Sequence, residues 1–300
     1  MFIFLAYLLT FLGLSLIQEG KITIAGVQVI SALFINVFLI LLAYPIIPLL
    51  ERLFGFTSTS LLLELSSTNR PLIKKLIVEA PGTWQHSLQV ANIAEAAATA
   101  IGADALLVKV GALYHDIGKT VNPEYFIENQ KGYNAHQTLS SLQSAEKIIA
   151  HVHEGVKLAK KYRLPQVIID FIETHHGTTK VEFFYRKYKE EHPEELVDEQ
   201  QFRYPGIKPF TKEQTILMVA DSLEAASKTL KDPTMEDINQ LIDRIIHGKI
   251  TGGQFAQAEF TFQELEICRT VFQQSLYSIH HARVEYPKEI ELKQEPTELE

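Results

Sequence analysis

Apolar residues run almost unbroken through residues 2–17 and again through 23–50, whereas beyond residue 80 they recur every three or four positions between charged ones. The first pattern is that of helices without a polar face, and about 20 such residues cover a bilayer core. The second is that of amphipathic helices packing on one another. The first run is slightly short, so a cleaved signal peptide competes with a span. No positive stretch precedes it, however, and Gln18-Glu19-Gly20-Lys21 is a tight polar turn rather than a small-residue cleavage site. The expectation is a transmembrane helical hairpin over 1–50. Arg52, Arg70, Lys74 and Lys75 follow the second run, while the turn holds only Lys21, which places the large C-terminal part in the cytoplasm. A chain that opens directly on Met1-Phe2-Ile3-Phe4 reads as a piece of a larger membrane protein.

Residues 51–80 read as a connector, with a short apolar turn at Leu61-Leu62-Leu63 and a loop at Ser66-Ser67-Thr68-Asn69-Arg70-Pro71. Helices are then predicted over 83–100, 104–117, 141–162, 166–176, 212–230, 235–249 and 261–280. Residues 181–202 begin aromatic and turn acidic, as expected of a solvated face or surface insertion. Strand-like alternation is scarce, and 288–300 form an acidic tail expected to be mobile. The fold class is therefore all-α: a helical bundle over 81–287 behind the membrane hairpin.

Charge and cysteine content narrow the chemistry. A formal net charge of -8 argues against a nucleic-acid polymer as partner, since such a surface is normally basic. A small phosphorylated ligand held through metal remains compatible. The single cysteine, Cys268, excludes an internal disulfide framework and a cysteine-rich zinc module, so a reducing cytoplasm is the default.

Within this oily bundle several segments carry residues that bind first-row metals. His86 lies near the start of the first bundle helix, and His115-Asp116 near the end of the next. His151 follows Ile148-Ile149-Ala150, His175-His176 precede Gly177, and Asp221 ends the run Thr215 to Ala220. Alone, His86 is ordinarily a hydrogen-bonded core histidine, and Asp221 a paired core acid. Neighbours on a helix diverge by about 100°, so His115 and Asp116 need not point together except near a helix end. Five helices each breaking an apolar pattern in this way favour a shared metal site. Imidazole and carboxylate without thiolate suit iron or manganese, and leave zinc, cobalt and nickel open. His153 competes with His151, whereas His280 and His281 imitate a ligand pair but suit a structural or surface role. Lys119, one turn past Asp116, is placed either to meet a phosphate oxygen or to sit solvated at a helix C-terminus.

The ordered set, His, His-Asp, His, His-His, Asp, resembles the HD superfamily of metal phosphohydrolases in its two-metal form. More specifically, residues 80–87 (Ala-Pro-Gly-Thr-Trp-Gln-His-Ser), Tyr114 to Lys119, Tyr125 to Gln130, His175-His176-Gly177-Thr178 and Phe202 to Gly206 resemble the HD domain of bacterial seven-transmembrane HD receptors. The two runs fit the last two of that family's seven spans. Trp84 stands where a tyrosine-type aromatic is expected, and Ala135-His136-Gln137 where Pro-His-Asp is expected. The resemblance implies hydrolysis of cyclic di-AMP to a linear 5'-phosphorylated dinucleotide, at a multi-pass protein of the bacterial inner membrane. It implies two divalent transition-metal ions bridged by Asp116, with His86, His115 and Asp221 toward one and His151, His175 and His176 toward the other. Asp116 and Lys119 are then the catalytic candidates, and Lys119, His136 and Arg203 the candidate substrate contacts. Cyclic di-GMP or a nucleotide polyphosphate is an alternative substrate, a nucleotide-sensing module without turnover an alternative function, and a homo-oligomer stays open.

Overall fold

The computed structural model describes residues 2–18, 24–194 and 196–281; most of the polar turn at 18–21 and all of the tail 288–300 lie outside them. The chain divides between Ser58 and Thr59 into two compact units. In the first, α1 (Phe2–Gln18) packs on α2 (Ile24–Phe54). Gln28–Glu51 within α2, 24 residues with a mean hydropathy of 2.5, is the one segment among the described residues long and apolar enough to cross a membrane. Leu5–Leu14 of α1 is a shorter apolar helix. Ile35, Leu39, Leu49 and Leu53 of α2 are exposed, an arrangement that water disfavours and hydrocarbon does not.

The second unit is wholly helical among the described residues. It comprises α3 (Thr59–Leu65), α4 (Pro71–Glu79), α5 (Pro81–Ala100), α6 (Ala105–Tyr114), α7 (Ser141–Lys161), α8 (Gln166–Thr174), α9 (Glu182–Glu191), α10 (Lys212–Ser227), α11 (Met235–Thr251) and α12 (Phe262–His281). An isolated antiparallel bridge joins Lys180 to Arg203. The stretch read as a connector supplies α3 and α4, whose Leu62, Leu65, Leu72, Ile73 and Leu76 are buried in the main core. Two such short helices gain their stability from packing rather than from propensity, so a local reading sees only a turn.

Polar residues at the helix starts set the boundaries. Asp104 accepts from the Leu107 amide at 2.9 Å, and Ser140 with Gln143 and Thr234 with Asp237 form reciprocal caps. Helix α5 has no cap of its own, because Ala80 precedes Pro81. Asn129, far along the chain, replaces it: its Oδ1 accepts from the amides of Gly82 (2.9 Å) and Thr83 (3.1 Å). Alanines 91, 94, 97 and 98 of α5 are buried, and their small size lets α6, α10 and α12 close around that helix. The predicted surface insertion is partly docked, since Phe184 and Tyr185 of α9 form a small second core with Ala145 of α7 and Phe202. Glu190, Glu191 and Glu194 stay exposed.

Candidate metal centre

Two broken helices make the site possible. Helix α6 ends at Tyr114, earlier than the apolar pattern predicts; His115 caps it and Asp116 leaves the helical register at φ −107°, ψ 14° before a 3₁₀ turn over Ile117–Val121. That break turns two neighbouring side chains onto one point, with His115 Nε2 3.2 Å from Asp116 Oδ2. The turn also lies against α7 at Gly118, where a Cβ would stand 1.8 Å from the His151 carbonyl oxygen. Glycine alone permits that approach. Helix α8 likewise ends at Thr174, and His175 and His176 follow with ring centroids 4.0 Å apart before Gly177 reverses the chain at φ +53°.

The seven residues singled out in the sequence converge here. His86 Nε2 lies 3.0 Å from Asp221 Oδ1 and 3.5 Å from Asp116 Oδ2. Across the carboxylate, Asp116 Oδ1 is 3.3 Å from His151 Nε2 and 3.7 Å from His175 Nε2. His176 Nδ1 stands 3.7 Å from Asp221 Oδ2. His151 is buried and its competitor His153 exposed. Possible ligand atoms of His86, His115 and Asp116 lie within 4.8 Å of one another, as do those of His151, His175 and His176.

The donor set fits cations. His115, His151 and His175 donate Nδ1–H to the carbonyls of Ala112, Ile148 and Ile172, which makes Nε2 the ligand atom of each ring, its lone pair bare on His151 and His175 and released on His115 by loss of one proton. Nε2 of His151 and of His175 then face each other at 3.1 Å as two acceptors. His115 Nε2 and Asp116 Oδ1 are buried with no hydrogen-bond partner. A cation relieves each of these frustrations, and unpartnered buried polar atoms are otherwise costly.

Electrostatics divide the centre. Burial would lift the carboxyls of Asp116 and Asp221, but Lys119 and His115 beside the first, and His115 and His86 beside the second, hold both well below the usual carboxylate range. Burial would depress His115, yet Asp116 and Asp221 hold it up at about 10; His86 is raised against burial by Asp221 and Glu224. On the other side burial, with neighbouring imidazoles, lowers His151 and His176 and takes His175 down to about 3. Those three are neutral at pH 7, and lone pairs are available without proton loss.

Lys119 is not the solvated lysine that a helix end would allow. Its ammonium lies 2.8 Å from Asp116 Oδ2 and 2.9 Å from Glu128 Oε1, and the two carboxylates raise its pKa against burial. With His86, His151, His176 and Asp221 it lines a cavity of about 340 Å³, whose wall also includes Tyr204 and Lys228. His136 lines an adjoining cavity of about 450 Å³ with Tyr125, Phe183 and Phe184; Phe126, Ile127, Glu128 and Ile148 belong to both walls. Arg203 lines neither, and its guanidinium donates to the Thr178 carbonyl (3.0 Å) and Glu199 (3.1 Å). Sequence reasoning missed Glu224, Glu128 and Tyr204. The first hydrogen-bonds His86, the second clamps Lys119, and the Tyr204 ring lies on His176 at 4.2 Å. The Asp221-Glu224 spacing of one helical turn is the signal that was available.

The HD domain family matches residues 83–226. A solved structure of the HD domain of the Listeria monocytogenes phosphodiesterase PgpH in complex with cyclic-di-AMP is similar with a TM-score of 0.68 and 46% identity, covering 72% of this chain and 100% of that one. The chain belongs to the PgpH family of HD-domain proteins. Within the PgpH family, the cyclic-di-AMP phosphodiesterase of L. monocytogenes is 46% identical over 248 residues, 82% of this chain and 34% of the relative. That of Bacillus subtilis is 40% identical over 291 residues, 95% and 41% respectively. The chain thus spans between a third and about two fifths of the length of these PgpH relatives.

Proposed function

We propose that this chain is the membrane-held HD part of a metal-dependent phosphodiesterase that opens cyclic di-AMP to linear pApA. The observation that carries the reading is Asp116, whose Oδ2 faces His86 and His115 while its Oδ1 faces His151 and His175. A single carboxylate so placed is suited to join two cation positions, with His86, His115 and Asp221 on one side and His151, His175 and His176 on the other. A pair of iron or manganese ions bound there would supply an acidified water and neutralise charge on the phosphorus-bound oxygens.

The residues of the chain provide the rest. Lys119 keeps a fixed positive charge at the cavity wall, where a phosphate oxygen can meet it, and Glu128 holds it in place. Lys228 adds a second ammonium to the same wall. Pockets for small ligands run to about 300–1,000 Å³, so the metal-side cavity alone is small for a dinucleotide. The adjoining one offers ring faces from Tyr125, Phe183, Phe184 and His136 on which a base can stack. The amides of Gln130, Asn134 and Gln137 in its wall are of the type that pairs with the N6/N7 edge of adenine. Arg203 acts at one remove in this scheme, by tying down the Thr178 carbonyl after the His175-His176 pair.

For the membrane, α2 supplies one span by length and composition, and α1 completes the hairpin as a shorter partner. The charge pattern favours the HD domain on the cytoplasmic side of a multi-pass inner-membrane protein. The test is turnover by the anaerobically purified chain with Mn²⁺ or Fe²⁺ on a panel of cyclic di-AMP, cyclic di-GMP and a nucleotide polyphosphate. Preferential conversion of cyclic di-AMP to pApA supports the reading. Faster turnover of another member replaces the substrate, and stoichiometric binding without product makes the protein a sensor.

A further inference from the structure

His115, His151 and His175 are all oriented by the main chain. Each donates Nδ1–H to the carbonyl three residues earlier, at 2.7, 2.6 and 2.8 Å. His86 differs, because its Nδ1–H donates to a carboxylate, Glu224 Oε2. Glu224 is only 1% exposed and follows Asp221 by one turn of α10. One helix face therefore sets a carboxylate at each nitrogen of the same ring, with Asp221 Oδ1 3.0 Å from Nε2. The second oxygen of Glu224 lies 2.8 Å from the Lys228 ammonium, one turn further on.

A carbonyl behind an imidazole fixes the tautomer and the ring plane. A carboxylate does both and adds a full negative charge, which strengthens the far nitrogen as a donor to a cation. Asp116 is shared by the two sides, and Asp221 leans on both, since its Oδ2 reaches to 3.7 Å from His176. Glu224 is the carboxylate that bears on one side only. We infer that Glu224 is a positioning residue for His86 and makes the His86 side the tighter of two cation positions. The inference rests on the two-cation reading above, and not on the identity of the substrate.

The test is an anaerobic calorimetric titration of the metal-stripped full chain in detergent with Mn²⁺, with bound metal counted per chain. The wild type is expected to bind in two separable steps. Glu224→Gln, which keeps the shape and removes the charge, weakens the tighter step by about 10- to 100-fold and leaves the weaker one within about two-fold. Glu224→Asp recovers part of that loss. A general structural defect would shift both steps together. Equal weakening of both steps, weakening of the weaker step alone, no change in either, or a wild type with indistinguishable steps overturns the inference. If Glu224→Gln does not fold, Lys228→Met decides: it frees Glu224 from its ammonium and strengthens the tighter step, whereas an unchanged or weakened step overturns the proposal. A wild-type chain that binds no Mn²⁺ overturns the two-cation reading and this inference with it.

Discussion

The two sides of Asp116 are built from different materials. On one, His86 and His115 sit among Asp116, Asp221 and Glu224, and those carboxylates hold protons on the rings when no cation is there. On the other, His151, His175 and His176 are mutually close and neutral, and the rings of His151 and His175 lean on main-chain carbonyls. The carboxylate side has charge to attract a cation but must shed protons to take it. The imidazole side has lone pairs ready and only Asp116 and Asp221 to offer charge. Negative charge and ready lone pairs are thus divided between two groups of side chains that share Asp116 and Asp221.

The largest expected break in that comparison comes from emptying one half at a time. His86→Ala and His175→Ala should each lower turnover by more than about 100-fold, above the loss typical of groups that merely orient a ligand. Metal counted per chain should fall by one in each variant, not by two. Loss of both metals in either variant would mean that the halves are not separable. Next, Lys119→Met should slow turnover on the order of 100-fold, as for loss of a preorganised charge at a reacting oxygen, while metal content is retained. Metal loss as large as that of a ligand variant would move Lys119 from substrate to site assembly.

Smaller effects sharpen the geometry. Gly118→Ala forces a Cβ against the His151 carbonyl and should destabilise the domain by about 1–3 kcal/mol in denaturant melts. It should also disturb metal on the imidazole side before the carboxylate side, because α7 carries His151. Arg203→Lys keeps the charge and loses the paired contacts to Thr178 and Glu199, at a cost of about 1 kcal/mol. If the KM for cyclic di-AMP rises instead with stability unchanged, Arg203 touches substrate directly.

Much of this centre can be read from the chain. A histidine and an aspartate side by side in an oily helix are costly without a partner, and each of the other positions breaks an apolar pattern in the same way. What hid the remainder is that its meaning depends on contacts far along the sequence. Glu224 looks like one more acid on a helix until α5 brings His86 against it, 138 residues away. Glu128 and Asn129 sit in a polar loop whose purpose appears only when it meets Thr83 and Lys119. Helices α3 and α4 are too short to announce themselves locally, and their leucines declare their place only in the assembled core. His136 fell in a loop with no periodicity to place it, and the structure sets it beside the rings of Tyr125 and Phe184.

The central claim is that Asp116 joins two cation positions into one hydrolytic centre. It is tested most directly by comparing wild type and Asp116→Ala, purified anaerobically as the full chain, for metal per chain and for conversion of cyclic di-AMP to pApA. The account predicts two metals and turnover in the wild type, and in the variant a fall in metal on both sides with turnover lost. Unchanged metal content and unchanged turnover in Asp116→Ala would contradict it.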